Sequence, residues 1–329
     1  MKYLITGITG FAGPNLAKLL LEEGHEVHGI VRATNGRQAD LLDIMTTSEF
    51  AQVKFHCVDL KHYYGLKNVI NANSYDGVFH LAAQSHPPSS FSDPVLTFEE
   101  NVSASVNLIT AIGDSPWKDK TKMMFCSTSE VYGDSCKDKG MLRTTDALSP
   151  SNPYGSSKAA IDLYMQERMS NGFLKGFVTR AFSHTGPRRG FNFSISGDAY
   201  QVAKMKLGKQ EKVLQVGNLD TERVVIDVRD CVRAYYLLMN NDEATGKVFN
   251  VCGEKLHKMR HFSELLIRSA GFSLDEIEME INPKFYRPID IQIQIGDCED
   301  LKRITGWEPE IGIEKTIDDL LDYWMKKLS

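Results

Sequence analysis

The chain has 329 residues, 42% of them hydrophobic and 25% charged, enough apolar mass for a large core in two lobes and the balance of an ordinary globular protein. A net charge of -5 gives no electrostatic reason to bind nucleic acid or an anionic membrane, and no apolar run approaches the ~20 residues that cross a bilayer. The six cysteines (57, 126, 136, 231, 252 and 298) lie without metal-ligand spacing and the N-terminus opens into a strand with no leader pattern, so reduced thiols, no bound metal and a cytoplasmic location are expected.

The apolar run Tyr3-Leu4-Ile5-Thr6 predicts the first strand. Behind it stands Gly7-Ile8-Thr9-Gly10-Phe11-Ala12-Gly13, then a helix over 14–23 with apolar spacing at Leu16, Leu19 and Leu20, ended by Gly24. Glycines at such a turn permit a tight bend and let the backbone approach a pyrophosphate, which sits on the helix N-terminus. The spacing is Gly-x-x-Gly-x-x-Gly, and its strand-to-helix context makes Gly7, Thr9, Gly10, Phe11, Ala12 and Gly13 a dinucleotide-binding turn. A second strand, 26–31, ends at Arg32, with Arg37 further along the loop. NAD-binding folds commonly place an acid there for the ribose 2′-hydroxyl, whereas an arginine accommodates a 2′-phosphate, so NADP is expected ahead of NAD.

Strand-like runs follow at 53–58, 77–81, 122–127 and 176–180, with helices at 97–113 and 153–171 between them. Such alternation implies βαβ units and a parallel sheet, so the fold class is α/β, a Rossmann-type doubly wound sheet. Beyond Arg180 the pattern loosens. Residues 183–222 are loop-rich around Gly186, Pro187 and Gly190 and carry a helix near 197–208. Residues 223–251 read as a return to the sheet through a helix Asp227–Asn240 and a strand Lys247–Val251, and an amphipathic helix covers 313–327. The expected division is 1–182 plus about 223–251 for the cofactor, and about 183–222 plus 252–329 for a smaller, discontinuous substrate lobe.

The chemistry concentrates in Ser127-Thr128-Ser129-Glu130 and Tyr154-Gly155-Ser156-Ser157-Lys158. Asn152-Pro153 is a plausible helix start, with Ser151 or Asn152 as cap. Tyr154 and Lys158, four residues apart, then share one helix face, where the ammonium favours a phenolate whose pKa is ordinarily ~10. Such a tyrosine takes a proton from a sugar hydroxyl while the carbon loses hydride to a nicotinamide. Glu130 supplies an acid/base group for a further proton transfer, or is simply an exposed glutamate at a strand end.

With Asp59-Leu60, His80-Leu81-Ala82-Ala83, Asn101 and Gly306-Trp307-x-Pro309 added, the chain resembles the extended short-chain dehydrogenase/reductase family of nucleotide-sugar epimerases and dehydratases over most of its length. Within it, Ser127 to Glu130, His184-Thr185-Gly186-Pro187-Arg188-Arg189-Gly190, Gly217-Asn218-Leu219-Asp220 and Tyr286-Arg287-Pro288 are most similar to the GDP-mannose 4,6-dehydratases.

That resemblance implies a GDP-sugar substrate, a homodimer or homotetramer, and Thr128, Ser129, Glu130, Tyr154 and Lys158 as catalytic residues. It adds Asp59, Leu60, Leu81, Ala82, Ala83 and Arg188 to the cofactor site, the arginine loop reaching a neighbouring subunit. It gives Ser85, Thr128, Ser183, Arg223, Arg287 and Asp290 to the substrate. Departures fall in the substrate half: Ser183 replaces the usual asparagine, Arg223-Val224-Val225 the usual Arg-Asp-aromatic, and Phe191-Asn192 the usual Gly-Glu. They leave the sugar and the base open. A 4-keto reductase or epimerase of the same family, and a non-catalytic nucleotide sensor, remain the rival readings.

Overall fold

A computed structural model describes residues 1–33, 36–286 and 289–329. Arg287, expected at the substrate, therefore lies outside the described residues. Strands β1 (Lys2–Thr6), β2 (Glu26–Val31), β3 (Lys54–Cys57), β4 (Gly77–His80), β5 (Lys122–Thr128), β6 (Lys175–Ala181) and, further along, β10 (Val248–Val251) form one seven-stranded sheet in the order β10-β6-β5-β4-β1-β2-β3. Every neighbouring pair is parallel. Its central strands are buried on both faces, which is why they read as nearly unbroken apolar runs.

Helices α1 (Ala12–Glu22), α2 (Tyr63–Ala72), α3 (Ala104–Gly113), α4 (Pro153–Ser170), α5 (Ser194–Lys206), α6 (Val228–Met239), α7 (Met259–Ser269) and α8 (Ile313–Leu328) complete the frame. Leu16 and Leu20 of α1 pack with Val228 and Tyr235 of α6 on one sheet face. Leu66, Leu108, Ile112, Ile161 and Met165, from α2, α3 and α4, cover the other. A separate core joins α5, α7 and α8 through Val202, Phe262, Leu266, Ile317 and Leu320.

Two segments depart from expectation. The helix foreseen over 97–113 is three pieces, Pro94–Phe98, a π-helical turn Glu99–Ser103, and α3. There the Ser105 hydroxyl donates to the Asn101 carbonyl, and the Asn101 side chain bridges Gln84 and Ser157. Those side-chain bonds favour the wider turn over the regular ladder. Nor does the segment after 222 return directly to the large sheet. Strand β9 (Glu222–Asp227) pairs instead with β7 (Ser183–Thr185), β11 (Leu256–Lys258) and β13 (Ile293–Gln294), while β8 (Val213–Val216) pairs with β12 (Glu278–Ile281). Only α6 and β10 rejoin the seven strands.

The tie between α4 and the sheet is ionic. Arg180 of β6 donates Nε to Asp162 Oδ2 at 2.9 Å and Nη2 to Oδ1 at 3.0 Å, with both side chains buried. Its Nη1 donates to the Tyr132 hydroxyl and the Thr144 carbonyl, both at 2.9 Å. Removing one partner of such a pair strands the other charge in the core, at a cost of about 3–5 kcal/mol. Asp162→Ala is expected to lose that much in urea denaturation. A loss below about 1 kcal/mol would show that the pair does not anchor the helix.

Candidate active site

The carboxyl ends of β1, β4, β5 and β6 converge on one cleft of about 990 Å³, closed on its far side by α5, the 217–225 segment and residues 284–286. This is the crevice at which open doubly wound sheets bind ligands, beside the switch point between β1 and β4.

At the β1 end the chain turns at Gly7, with φ of 73°, and the Gly10 amide donates to the Gly7 carbonyl at 2.9 Å. A Cβ at Gly7 would stand 2.7 Å from the Ala82 nitrogen, and one at Gly13 only 2.5 Å from the Gly7 and Ile8 carbonyl oxygens. Only glycine fits those two places. Among the described residues no side chain caps α1, and no acid stands in its first turn, so its leading amides are left for an anion. Gly7, Thr9, Gly10, Phe11, Ala12, Gly13, Leu60, Leu81, Ala82 and Ala83 all line the cleft. Asp59 lines it too, while its carboxylate accepts from the Lys61 amide at 2.8 Å. Arg32 lies at the rim, paired with Glu100 at 2.7 Å; Glu100 also takes Lys61 at 2.8 Å. The glycine turn and its neighbours fit a dinucleotide.

In the middle of the cleft stand Thr128, Ser129, Glu130, Tyr154 and Lys158, all buried. Asn152 caps α4 by accepting from the Gly155 amide at 2.7 Å, and its amide nitrogen donates to Glu130 Oε2 at 2.7 Å. One side chain thus starts the helix bearing Tyr154 and aims the carboxylate beside it. Burial raises the Tyr154 phenol above its ordinary value, opposed by a hydrogen bond with Thr128. Burial lowers the Lys158 ammonium, which lies 4.4 Å from the centre of the Phe125 ring. The expected depression of the phenol by Lys158 is thus absent: desolvation dominates.

The arginine loop divides its pair. Arg188, the one non-glycine residue of positive φ (73°) among those described, turns away from the cleft. It donates to the Asp40 carbonyl at 2.6 Å and the Thr9 carbonyl at 3.4 Å, and stands 3.8 Å from Asp43. Arg189 enters the cleft instead, its guanidinium 3.5 Å from the Phe193 ring centre and 4.7 Å from that of Phe11. Burial pulls it down to about 10. Nothing in the sequence separates two adjacent arginines; the backbone does.

Ser85, Ser183, Arg223 and Asp290 all line the cleft. Arg223 is braced by the carbonyls of Glu222, Ile291 and Gln292 and stands 3.7 Å from Asp290, which accepts from Asn218 at 3.2 Å. A polar chain also runs under the site: Thr6 to His80 at 2.7 Å, His80 to Ser105 at 2.8 Å, Ser105 to Asn101, Asn101 to Ser157 at 2.9 Å, and Ser157 to the Tyr154 carbonyl at 2.8 Å. Asn101 and His80 were visible in the sequence as motif residues; that they are joined was not.

The family model for GDP-mannose 4,6 dehydratase matches residues 4–320. The chain is 29% identical to the GDP-mannose 4,6 dehydratase of Homo sapiens, with 97% of this chain and 90% of that protein covered. It is 33% identical to the GDP-6-deoxy-D-mannose reductase of Pseudomonas aeruginosa, over 77% of this chain and 81% of that one. The solved structure of RMD from Pseudomonas aeruginosa complexed with NADPH matches with a TM-score of 0.81 at 28% identity, covering 99% of each chain.

His80 and His184 carry a pH dependence. Burial brings His80 from 6.5 to about 3 and His184 to about 4. Below pH about 6.5 the unfolded chain takes up protons that the folded one refuses, so stability falls as pH drops toward the folded values, by about 1.4 kcal/mol per pH unit for each proton. Urea titrations from pH 7 to 4 are expected to show that fall, and His80→Asn to remove about one proton from the slope. An unchanged slope in the variant would exclude His80 as a contributor.

Proposed function

The chain belongs to the GDP-mannose 4,6 dehydratase family, and on that footing we propose that it is an NADP-dependent nucleotide-sugar 4,6-dehydratase acting on GDP-mannose or a close GDP-hexose or GDP-heptose. The observation that carries this reading is Glu130, a buried carboxylate held by Asn152 in the same cleft as Thr128, Tyr154 and Lys158. Elimination of water needs a base for the C5 proton in addition to the hydroxyl pair that serves C4.

Tyr154 takes the C4 hydroxyl proton, with Thr128 hydrogen-bonded to it and to the reacting oxygen. Glu130 removes the C5 proton, acidified by the C4 ketone, and in its acid form protonates the departing C6 hydroxyl. Ser129, buried beside Glu130, shares that acid/base work. Lys158 holds the nicotinamide ribose. Gly7, Gly10 and Gly13 would hold NADP at the turn, where it would supply reversible hydride transfer without being consumed. Residues 1–182 with about 228–251 hold the cofactor in this reading, and about 183–227 with 252–329 hold the nucleotide sugar, β9 going with the second sheet.

Glu130→Gln keeps the size of the side chain and removes the base. Product formation is expected to fall by roughly 10²–10⁴-fold, the usual worth of a positioned acid/base, while substrate still binds and reduced cofactor accumulates with a 4-keto sugar. Tyr154→Phe is expected to stop the reaction before any reduced cofactor appears. The second reading, a 4-keto reductase, is favoured by the 33% identity to the Pseudomonas aeruginosa reductase. Deuterium from solvent separates the two: a dehydratase incorporates it at C5, whereas a reductase consumes NADPH without doing so.

The cofactor preference rests on Arg32. Calorimetry should give tighter binding of NADP than of NAD, with Arg32→Ala erasing much of the difference; equal or tighter NAD binding by the unaltered protein excludes the preference. We place the enzyme in the cytoplasm as a homodimer or homotetramer. Val95, Leu96 and Phe98, 69%, 44% and 40% exposed, and Leu163 of α4, 57% exposed, support pairing through this region. Light scattering that returns a monomer at micromolar concentration would end the oligomer proposal.

A further inference from the structure

At the end of the cleft away from the glycine turn, Asp198 of α5 has a carboxylate that the fold leaves half satisfied. The residue is 6% exposed yet lines the cleft. Among the described residues its one hydrogen bond comes from the Ser263 hydroxyl of α7, to Oδ2 at 2.7 Å, and no ion pair reaches it. Burial accordingly pushes its carboxyl up to about 7. Buried carboxylates are normally matched by donors or cations, so a lone one facing a binding cleft marks the place of donors that arrive with the ligand.

We infer that Asp198 reads the base of the nucleotide sugar, accepting the N1–H and N2–H of guanine. The inference rests on the GDP-sugar reading above. An ionised carboxylate only accepts, and it accepts best from two donors side by side. Guanine alone among the common bases offers two adjacent donors on one edge. Uracil and thymine flank their single N3–H with carbonyls that repel a carboxylate, and adenine and cytosine set an acceptor beside their amino group. The surroundings suit a flat ring. Gln201, one turn along α5, is bonded to both backbone groups of Gln215, placing α5 against the strand that leads into Gly217. Phe285, 53% exposed, covers Gly217: a Cβ there would stand 3.3 Å from the Phe285 Cβ. Met259, Gly217 and Phe285 line the cleft with Asp198.

Asp198→Asn tests this with a gain as well as a loss. An amide oriented to accept from N1–H presents its NH2 where guanine presents its own, and the two clash; xanthine carries a carbonyl at that place. Calorimetry is run on the full chain with GDP, inosine diphosphate (which lacks the 2-amino group), xanthosine diphosphate and UDP. The unaltered protein is expected to bind GDP at least about tenfold tighter than inosine diphosphate, as for a lost buried hydrogen bond. Asp198→Asn should invert the preference, taking xanthosine diphosphate over GDP, a gain that misfolding cannot imitate. If GDP wins in the unaltered protein but Asp198→Asn keeps the same order, Asp198 only ties α5 to α7, and the inference falls while the dehydratase reading stands. Equal binding of GDP and inosine diphosphate overturns it without needing a variant. If UDP binds best, the GDP reading itself has failed.

Discussion

One guanidinium holds the catalytic end of this molecule together. Arg180 leaves β6 and meets Asp162, which lies one helical turn beyond Lys158 on α4. The same group bonds Tyr132 and Thr144 and lies 5.0 Å from the centre of the Tyr132 ring. Tyr132 follows Glu130 by two residues. The height of α4 on the sheet and the course of the chain after β5 are therefore set by one buried charge. Each side chain that the chemistry needs, Thr128 and Glu130 from one segment and Tyr154 and Lys158 from the other, is positioned from that point. A charge buried so deeply is tolerated because nearly every donor it carries has an acceptor.

The site built on this anchor contains several groups whose solvation is incomplete. Desolvation raises Tyr154, lowers Lys158 and Arg189, and raises Asp198. In each case the fold withholds water and supplies fewer partners than the group can use. Such displaced titration accumulates where ligands complete the hydrogen bonding. Structural ionic groups elsewhere find their partners inside the fold: Asp162 and Asp227 are fully buried and have several bonds each. What separates scaffold charges from site charges is how many partners each finds within the fold.

The second sheet explains why the cleft has two walls. Strand β9 pairs with β7, which directly follows β6, and so the far wall grows out of the end of the large sheet. Asp227 closes this junction. It caps α6 through the Arg229 amide at 2.8 Å and accepts from Thr316 of α8 at 2.9 Å. The wall carrying Asp198 and Phe285 is thereby fixed against the wall carrying the glycine turn, leaving a cleft that spans both.

Much of this was legible in the sequence because the signals are local. Buried parallel strands must be apolar on both faces, so six of the seven large-sheet strands up to β6 could be read in order, and β10 at its place. The glycine turn could be read because close backbone contacts admit no Cβ, and the Tyr154/Lys158 pair because helical spacing fixes a shared face. Local signals do not say which elements meet. An extended segment at 222–227 carries no mark of its neighbour, and only the fold puts β9 beside β7, β11 and β13 rather than in the large sheet. Arg188 and Arg189 are identical in sequence terms, and only a left-handed backbone at Arg188 turns one toward Asp40 and Asp43 and the other into the cleft. The π turn at 99–103 arises from Asn101 meeting Gln84 and Ser157, 17 and 56 residues away. Asp198 passes for an ordinary polar helix position until Ser263, 65 residues later, folds over it. Periodicity and steric exclusion along the chain determined the elements and the cofactor turn; burial and pairing between distant segments, which depend on the assembled molecule, decided which charges face the cleft.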